Sequence, residues 1–77
     1  MWETIIINVN EKKFTAYVKH YETPSQYGID GGCISKLMIK DNTQDDKIVV
    51  NYDRGWDIKP ETPEAAAAYE TVLRAFN

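Results

Sequence analysis

Residues 62–76, TPEAAAAYETVLRAF, form the one stretch of the chain whose pattern is typical of an α-helix. Thr62 is expected to be the N-cap, with Pro63 at the first helical position and Glu64 at the positive end of the helix dipole. From Glu64 to Phe76 the residues are strong helix formers. One apolar stripe runs along them: Ala65, Ala68, Tyr69, Val72, Leu73 and Phe76. A lone helix must bury this stripe against other elements, so the preceding residues are expected to provide a sheet.

The residues before the helix contain four stretches rich in β-branched and aromatic side chains, as strands are. These stretches are 2–9, 14–21, 33–40 and 47–53. Polar or glycine-containing segments separate them, at 10–13, 22–32 and 41–46. The order predicts an α+β fold, a four-stranded antiparallel β-meander with one C-terminal α-helix packed on one face (ββββα), in a single domain spanning residues 1–77.

Apolar residues can be matched across the predicted hairpins. Val9 is expected opposite Phe14, and Ile39 opposite Ile48, which places apolar side chains on one common face. The segment 54–61, before the helix cap, is expected to be a loop, because Arg-Gly interrupts the strand pattern and Pro60 and Pro63 oppose ladder pairing.

Alternation along the strands divides their side chains between two faces. The helix-covered face is expected to take Ile5, Ile7, Val9, Phe14, Ala16, Val18, Leu37, Ile39, Ile48, Val50 and Tyr52. We call the opposite side the open face. Its candidate interaction surface consists of Trp2, Ile6, Tyr17, Lys19, Tyr21, Lys36, Met38 and Lys40. Ile34, Lys47 and Val49 are assigned to the same side, and Trp2 is expected opposite Tyr21.

Three interpretations of the open face follow from these residue types. Thr, Lys and Tyr are common on the wet side of antiparallel sheets, so the face can be merely solvated. The number of apolar and aromatic residues instead favours a surface that binds a protein partner or a second copy of the chain. Aromatic residues beside lysines also fit single-stranded nucleic acid, although no RNP-like motif is present.

Two loops are rich in residue types that occur in recognition sites. The segment 51–57, NYDRGWD, has an arginine that its flanking aspartates could hold, and 26–32, QYGIDGG, carries three glycines. If the loops meet at one end of the sheet, they form a candidate patch of Tyr27, Asp30, Arg54 and Trp56. The alternative is structural: Trp56 caps the core beside the helix, and the aspartates cap backbone amides.

Residues suited to catalysis or metal binding are few. One histidine, His20, and one cysteine, Cys33, do not make a recognisable nucleophile and base, and His20 is better explained as a cross-strand partner of Glu3. The aspartates of 41–46 lack the spacing of a calcium loop and are expected to form a solvated turn. We therefore expect no catalytic residue, no metal site, no cofactor and no enzymatic activity.

Composition is that of a globular chain, with 43% hydrophobic residues and a net charge of −3. That mild charge does not indicate a whole-protein footprint for nucleic acid, though a local basic patch remains compatible with it. A single cysteine allows no internal disulfide, and no stretch is long enough for a membrane span. A cytoplasmic location without membrane contact is expected.

Three segments carry a family resemblance: 27–32 (YGIDGG), 34–37 (ISKL) and 50–57 (VNYDRGWD). Together they resemble a family of small uncharacterised proteins met in bacteria and their phages or plasmids. The resemblance implies a small cytosolic protein, of mobile-element origin, and no activity that could be carried over. The function expected from the residues is a non-enzymatic interaction module, binding a protein partner or itself through the open face or the Trp56 loop end. The alternative is a binder of single-stranded nucleic acid.

Overall fold

The computed structural model describes residues 1–77 as one antiparallel sheet with a helix across one face. The strands are β1 (Trp2–Val9), β2 (Lys12–His20), β3 (Ile34–Asp41), β4 (Lys47–Asp53) and β5 (Trp56–Ile58), and the helix is α1 (Pro63–Phe76). Short 3-10 turns occupy Ile29–Gly31 and Asn42–Gln44. The strands lie side by side in chain order. The α+β class is confirmed, but the sheet has five strands, and the prediction of four was wrong.

The fifth strand forms in the segment that was predicted to be a loop. The chain reverses at Arg54, whose φ of 59° is left-handed, and β5 then returns along β4 with Trp56 opposite Tyr52. Pro60 lies beyond Ile58, the last residue of β5. The proline therefore limits the length of this edge strand and does not prevent it.

The first hairpin is tighter than predicted. Val9 pairs with Lys12 and Ile7 with Phe14, so the loop shrinks to two residues and Asn10 adopts a φ of 55°. The expected pairing of Val9 with Phe14 was wrong by two positions. Because side chains alternate with a period of two, this shift leaves every β1 residue on its predicted face.

Two β-bulges do change the assignment of faces. The first lies after Lys19 and places Ile34 opposite His20, so Ile34 is fully buried on the helix side and not on the open face. The second pairs Ile39 with Val50 and Lys40 with Ile48, so the predicted opposition of Ile39 and Ile48 was wrong. A bulge adds one unpaired residue to a strand and reverses the alternation beyond it.

The second bulge reverses the start of β4. Ile48 moves to the open face and is 36% exposed, whereas Val49 packs against the core. Lys47 pairs with the buried Asp41 and also leaves the open face. The predicted sides were therefore wrong for all three residues: Ile48 was expected on the helix-covered face, and Lys47 and Val49 on the open face.

The core lies between the sheet and α1. Its largest fully buried side chains include Phe14, Leu37, Ile39, Val50 and Val72, all of which were predicted to be there. Ile5 and Val9 pack against the core while partly buried. Ile29 was not predicted: it comes from the loop before β3, yet it is completely buried. A 3-10 turn folds this apolar residue of the loop inward.

A side chain caps the start of α1, and the Asn77 side chain ties its end to the loop before β3. The Thr62 hydroxyl accepts a hydrogen bond from the Ala65 N–H at 3.1 Å, which confirms the predicted N-cap. At the other end, the Asn77 side chain accepts from the Ile34 N–H and donates to the Ile29 carbonyl, both at 3.0 Å. The helix thereby fixes the loop that precedes β3.

Candidate functional site

The open face is ordered as three rows of side chains that cross the sheet from β1 to β4. The rows are Trp2, Lys19, Lys36 and Asp53; Thr4, Tyr17, Met38 and Asn51; and Ile6, Thr15, Lys40 and Ile48. Seven of the eight predicted surface residues lie in these rows, and the eighth, Tyr21, directly follows β2. The rows therefore bring the predicted surface together on one side.

Trp2 and Tyr21 are not opposite each other, as had been predicted. Trp2 pairs with Lys19, whose ammonium lies 5.9 Å from the Trp2 ring and 5.7 Å from the Tyr21 ring. Lys40 approaches Tyr17 in the same way, at 5.7 Å. Each contact is within the range of a cation–π interaction, so lysines and aromatic rings form mixed clusters on this face.

Apolar exposure on the open face is concentrated at its β1 edge. Trp2 and Ile6 are each 58% exposed, while Tyr17 and Met38 in the middle of the sheet are half-buried. A shallow trough of about 390 Å³ runs between Trp2, Tyr17 and Met38 toward Asn51. The face thus offers both protruding and recessed apolar surface.

Charge is segregated between the open face and the rest of the chain. Lys13, Lys19, Lys36 and Lys40 lie on the sheet positions of the open face and outnumber its carboxylates, which are Asp53 in the rows and Asp57, bonded to Asn51. The Asp53 carboxylate lies 3.7 Å from the Lys36 ammonium. Since the chain as a whole carries −3, the open face has the opposite sign from the molecule that bears it.

The predicted loop patch is divided between two sides of the sheet end. Tyr27 and Arg54 do meet, with the guanidinium carbon 4.9 Å from the ring centre. Trp56 instead packs edge-on against Tyr52 at 5.1 Å and against Tyr69 of the helix at 5.4 Å. Trp56 therefore caps the core beside the helix, which was the structural alternative, while remaining 37% exposed.

The acidic residues of these loops do not hold Arg54. Asp53 is paired with Lys36, and Asp57 accepts a hydrogen bond from Asn51 at 3.2 Å. Burial raises the pKa of the Tyr69 phenol, and the negative charges of Asp30 and Glu70 raise it further. The arrangement leaves the Arg54 guanidinium stacked on a ring and without a carboxylate partner.

A groove at the end of the sheet, which we call the end groove, collects residues from three separate segments. It has a volume of about 430 Å³. Its walls are Lys19, Tyr21, Thr23, Pro24, Ser25, Tyr27, Cys33, Ser35, Lys36 and Arg54. The sequence shows no signal for this groove, because the bulge after Lys19 and the turn at Arg54 bring the segments together.

Cys33 and His20 do not form a catalytic pair. The His20 ring packs on Phe76 at 4.9 Å and its Nε2 lies 3.3 Å from a Glu3 carboxylate oxygen, on the helix side of the sheet. Cys33 lines the end groove, and its Sγ lies 3.9 Å from the Glu22 carbonyl oxygen. The contact of His20 with Glu3 was predicted, although the residue opposite Glu3 in the ladder is Val18.

The aspartate-rich turn is not simply solvated. Asp41 is buried, and its carboxylate accepts hydrogen bonds from Lys12, Thr43 and Gln44. Burial would raise its pKa, but these donors together hold the pKa well below its usual value of 3.8. Asp41 is a structural cap of the turn. No group of three His, Cys, Asp or Glu side chains is placed to share a metal ion.

The family described as "Domain of unknown function (DUF7678)" matches residues 1–77. No curated protein and no solved structure is significantly similar to the chain. The resemblance to an uncharacterised family is thus confirmed, whereas the bacterial or mobile-element origin stays a prediction. None of the helices has both the length and the apolar character needed to cross a bilayer.

Proposed function

We propose that this chain, which belongs to the DUF7678 family, is a non-enzymatic binding module whose open face holds an acidic protein partner. The observation that carries the proposal is the row structure of that face. The exposed apolar side chains of Trp2 and Ile6 lie on β1, in the same rows as Lys19, Lys36 and Lys40 of β2 and β3. Apolar residues supply the buried contact area of an interface, and the lysines select a partner of opposite charge.

Charge argues against a second copy of the chain as the partner. Two copies that pair through this face would bring the lysines of one against the lysines of the other. Like charges brought together in this way cost affinity, whereas an acidic partner gains from the same lysines. The Trp56 loop end offers a partner less surface than the open face, because the Trp56 ring packs against the rings of Tyr52 and Tyr69.

Selection of peptides from a random displayed library on the immobilised full chain tests the proposal. We expect the enriched peptides to combine Asp or Glu with aromatic or aliphatic residues. Ile6→Ser and Lys40→Gln should each weaken an enriched peptide several-fold. Lys59→Gln should not, because Lys59 is exposed but lies beyond β5. Enriched peptides that lack acidic residues, or that bind the Ile6→Ser variant unchanged, would contradict the proposal.

Sedimentation velocity at several concentrations distinguishes binding of an acidic partner from self-association of the chain. The proposal expects a monomer throughout, because lysines oppose pairing of the open faces. A dimer that dissociates on Ile6→Ser would instead assign the open face to a second copy of the chain.

Single-stranded nucleic acid is the second candidate, and the mixed lysine and aromatic clusters favour it. Lysine ammonium groups within 6 Å of Trp2, Tyr17 and Tyr21 provide the stacking surfaces and positive charge that such binding uses. Anisotropy of a labelled oligothymidylate at low salt tests this candidate. Binding that weakens with salt and is lost when Lys19, Lys36 and Lys40 are replaced together by Gln would support it, and no binding at low salt would rule it out.

A further inference from the structure

The end groove contains a cluster of cations whose proximity is unfavourable in the chain by itself. Lys19 and Lys36 are direct cross-strand partners of β2 and β3 and both line the groove. Like charges directly opposite each other destabilise a sheet. The Asp53 carboxylate offsets the positive charge of Lys36 only in part, since it lies 3.7 Å from the ammonium and the Asp53 side chain is more than half exposed. An anion between the two lysines would remove the repulsion.

Arg54 adds a third cation from the turn between β4 and β5. Its backbone N–H donates to the Ser35 carbonyl at 3.0 Å, next to Lys36 in β3. This hydrogen bond anchors Arg54 in its left-handed conformation, with a φ of 59°. The guanidinium lies on the Tyr27 ring and has no carboxylate partner, so its donors remain free for a ligand.

The remaining walls of the end groove are aromatic and neutral. Tyr21 and Tyr27 are 48% and 49% exposed, and no carboxylate side chain lines the groove. Ser25 accepts a hydrogen bond from the Tyr27 N–H at 3.1 Å, which leaves its own hydroxyl proton available. The volume of about 430 Å³ lies within the range of sites for small ligands.

We infer that the end groove binds a nucleotide by its terminal phosphate. Lys19, Lys36 and Arg54 surround a phosphate monoester, whose charge of about −2 matches two or three cations better than a carboxylate does. The base stacks on the free ring face of Tyr21 or Tyr27, since Lys19 lies over one face of Tyr21 and Arg54 over one face of Tyr27. A free nucleotide and the 5′-terminal nucleotide of a single strand present this same chemistry.

The end groove shares Lys19, Lys36 and Tyr21 with the open face, but residues outside this overlap separate nucleotide binding from the protein binding proposed above. Ile6 belongs to the open face but does not line the end groove, and Arg54 lines the groove but lies outside the rows of the open face. Ile6→Ser should therefore leave nucleotide binding unchanged, and Arg54→Gln should leave peptide binding unchanged.

Calorimetric titration of the full chain with thymidine 5′-monophosphate tests the inference. Thymidine and inorganic phosphate, each carrying half of the ligand, are expected to bind at least about tenfold more weakly. Arg54→Gln and Lys36→Gln should each weaken the nucleotide by about tenfold or more, because each removes a charged hydrogen-bond donor. Lys40→Gln is the matched control, because Lys40 lies on the same strand and the same face as Lys36 but does not line the groove.

Competition with short oligothymidylates distinguishes the two sources of the ligand. A 5′-phosphorylated strand that displaces the monophosphate, where the 5′-hydroxyl strand does not, assigns the site to strand ends. Displacement by neither strand assigns it to free nucleotides. Unchanged thermal unfolding of Arg54→Gln would show that the loss of affinity is not a loss of fold.

Several results would overturn the inference. One is the absence of monophosphate binding at concentrations up to about 1 mM. Another is inorganic phosphate binding as tightly as the nucleotide, which would leave the tyrosines without a role. A third is Lys40→Gln weakening binding as much as Arg54→Gln, which would show a diffuse charge effect and no defined site.

Discussion

Asp41 shows at the scale of one residue how burial and hydrogen bonding compete. It closes β3 with almost no exposed surface, where a carboxylate on its own would be costly. The Lys12 ammonium at 3.0 Å and the donors of the following 3-10 turn offset that cost. The residue therefore holds the β3–β4 connection together through its charged form.

Asp41→Asn should lower the free energy of unfolding by about 2 kcal/mol at pH 7, because Lys12 then loses its anion. The folded-state pKa of Asp41 is depressed, so the unfolded chain takes up the proton first on acidification. The difference between wild type and variant should be complete above the ordinary value of 3.8 and should shrink as the pH falls below it. Urea unfolding at neutral and acidic pH measures this. A difference that does not change with pH would contradict the assignment.

Gly28 lies where the neighbouring backbone leaves no room for a side chain. A Cβ at this position would collide with the backbone carbonyl of Gly32, which is held in place because the Ser25 backbone N–H donates to it at 3.1 Å. Gly28→Ala should therefore destabilise the loop by more than the usual surface substitution, by about 1–3 kcal/mol. Gly55→Ala is the control, since a Cβ there meets no atom within 4 Å. Equal stabilities of the two variants, measured by urea unfolding, would disprove the close approach.

At the scale of elements, the end of α1 and the loop before β3 form one unit. Both side-chain hydrogen bonds of Asn77 go to that loop or to the first residue of β3. Asn77→Ala leaves the Ile34 N–H without its side-chain partner and removes one of the two donors to the Ile29 carbonyl, which keeps the Gly32 N–H. The change should cost about 2 kcal/mol. Arg74→Ala, an exposed change in the same turn of the helix, should cost far less. Thermal unfolding of both variants provides the comparison.

The edge strand β5 is held mainly by one side chain. It has two register pairs with β4, and Trp56 bridges Tyr52 and the helix. Trp56→Ala should cost about 1–3 kcal/mol and release β5 locally. Hydrogen exchange should then accelerate at β5 amides while β2 and β3 stay protected. Uniform acceleration throughout the sheet would show instead that β5 unfolds only with the whole domain.

At the scale of the whole molecule, one helix gives the sheet two unlike faces. Val18 is fully buried under α1, whereas its neighbour Tyr17 is half-buried on the open face. A chain of 77 residues has about 4–12 kcal/mol of stability, and an unpaired buried carboxylate costs a large part of it. Val18→Asp should therefore unfold the protein and Tyr17→Asp should not. Circular dichroism and the dispersion of proton NMR signals show whether each of the two variants is folded. If both are folded, the assignment of Val18 to the core is refuted.

The sequence by itself determined the α+β class, the helix with its Thr62 cap and most of the core, because helix caps and side-chain periodicity are local properties. It also determined which aromatic residues, and which lysines of β2 and β3, share the open face, since a register error of two does not change the side on which a residue lies.

Only the tertiary structure decided the two bulges, which exchanged Ile34 and Ile48 between the faces, and the fifth strand, which formed beside Pro60. The end groove likewise depends on Lys19, Lys36 and Arg54 coming from three segments. Bulges and strand ends are set by competition between packing against the helix and ladder hydrogen bonds. That competition involves residues far apart in the chain, so no local pattern records its result.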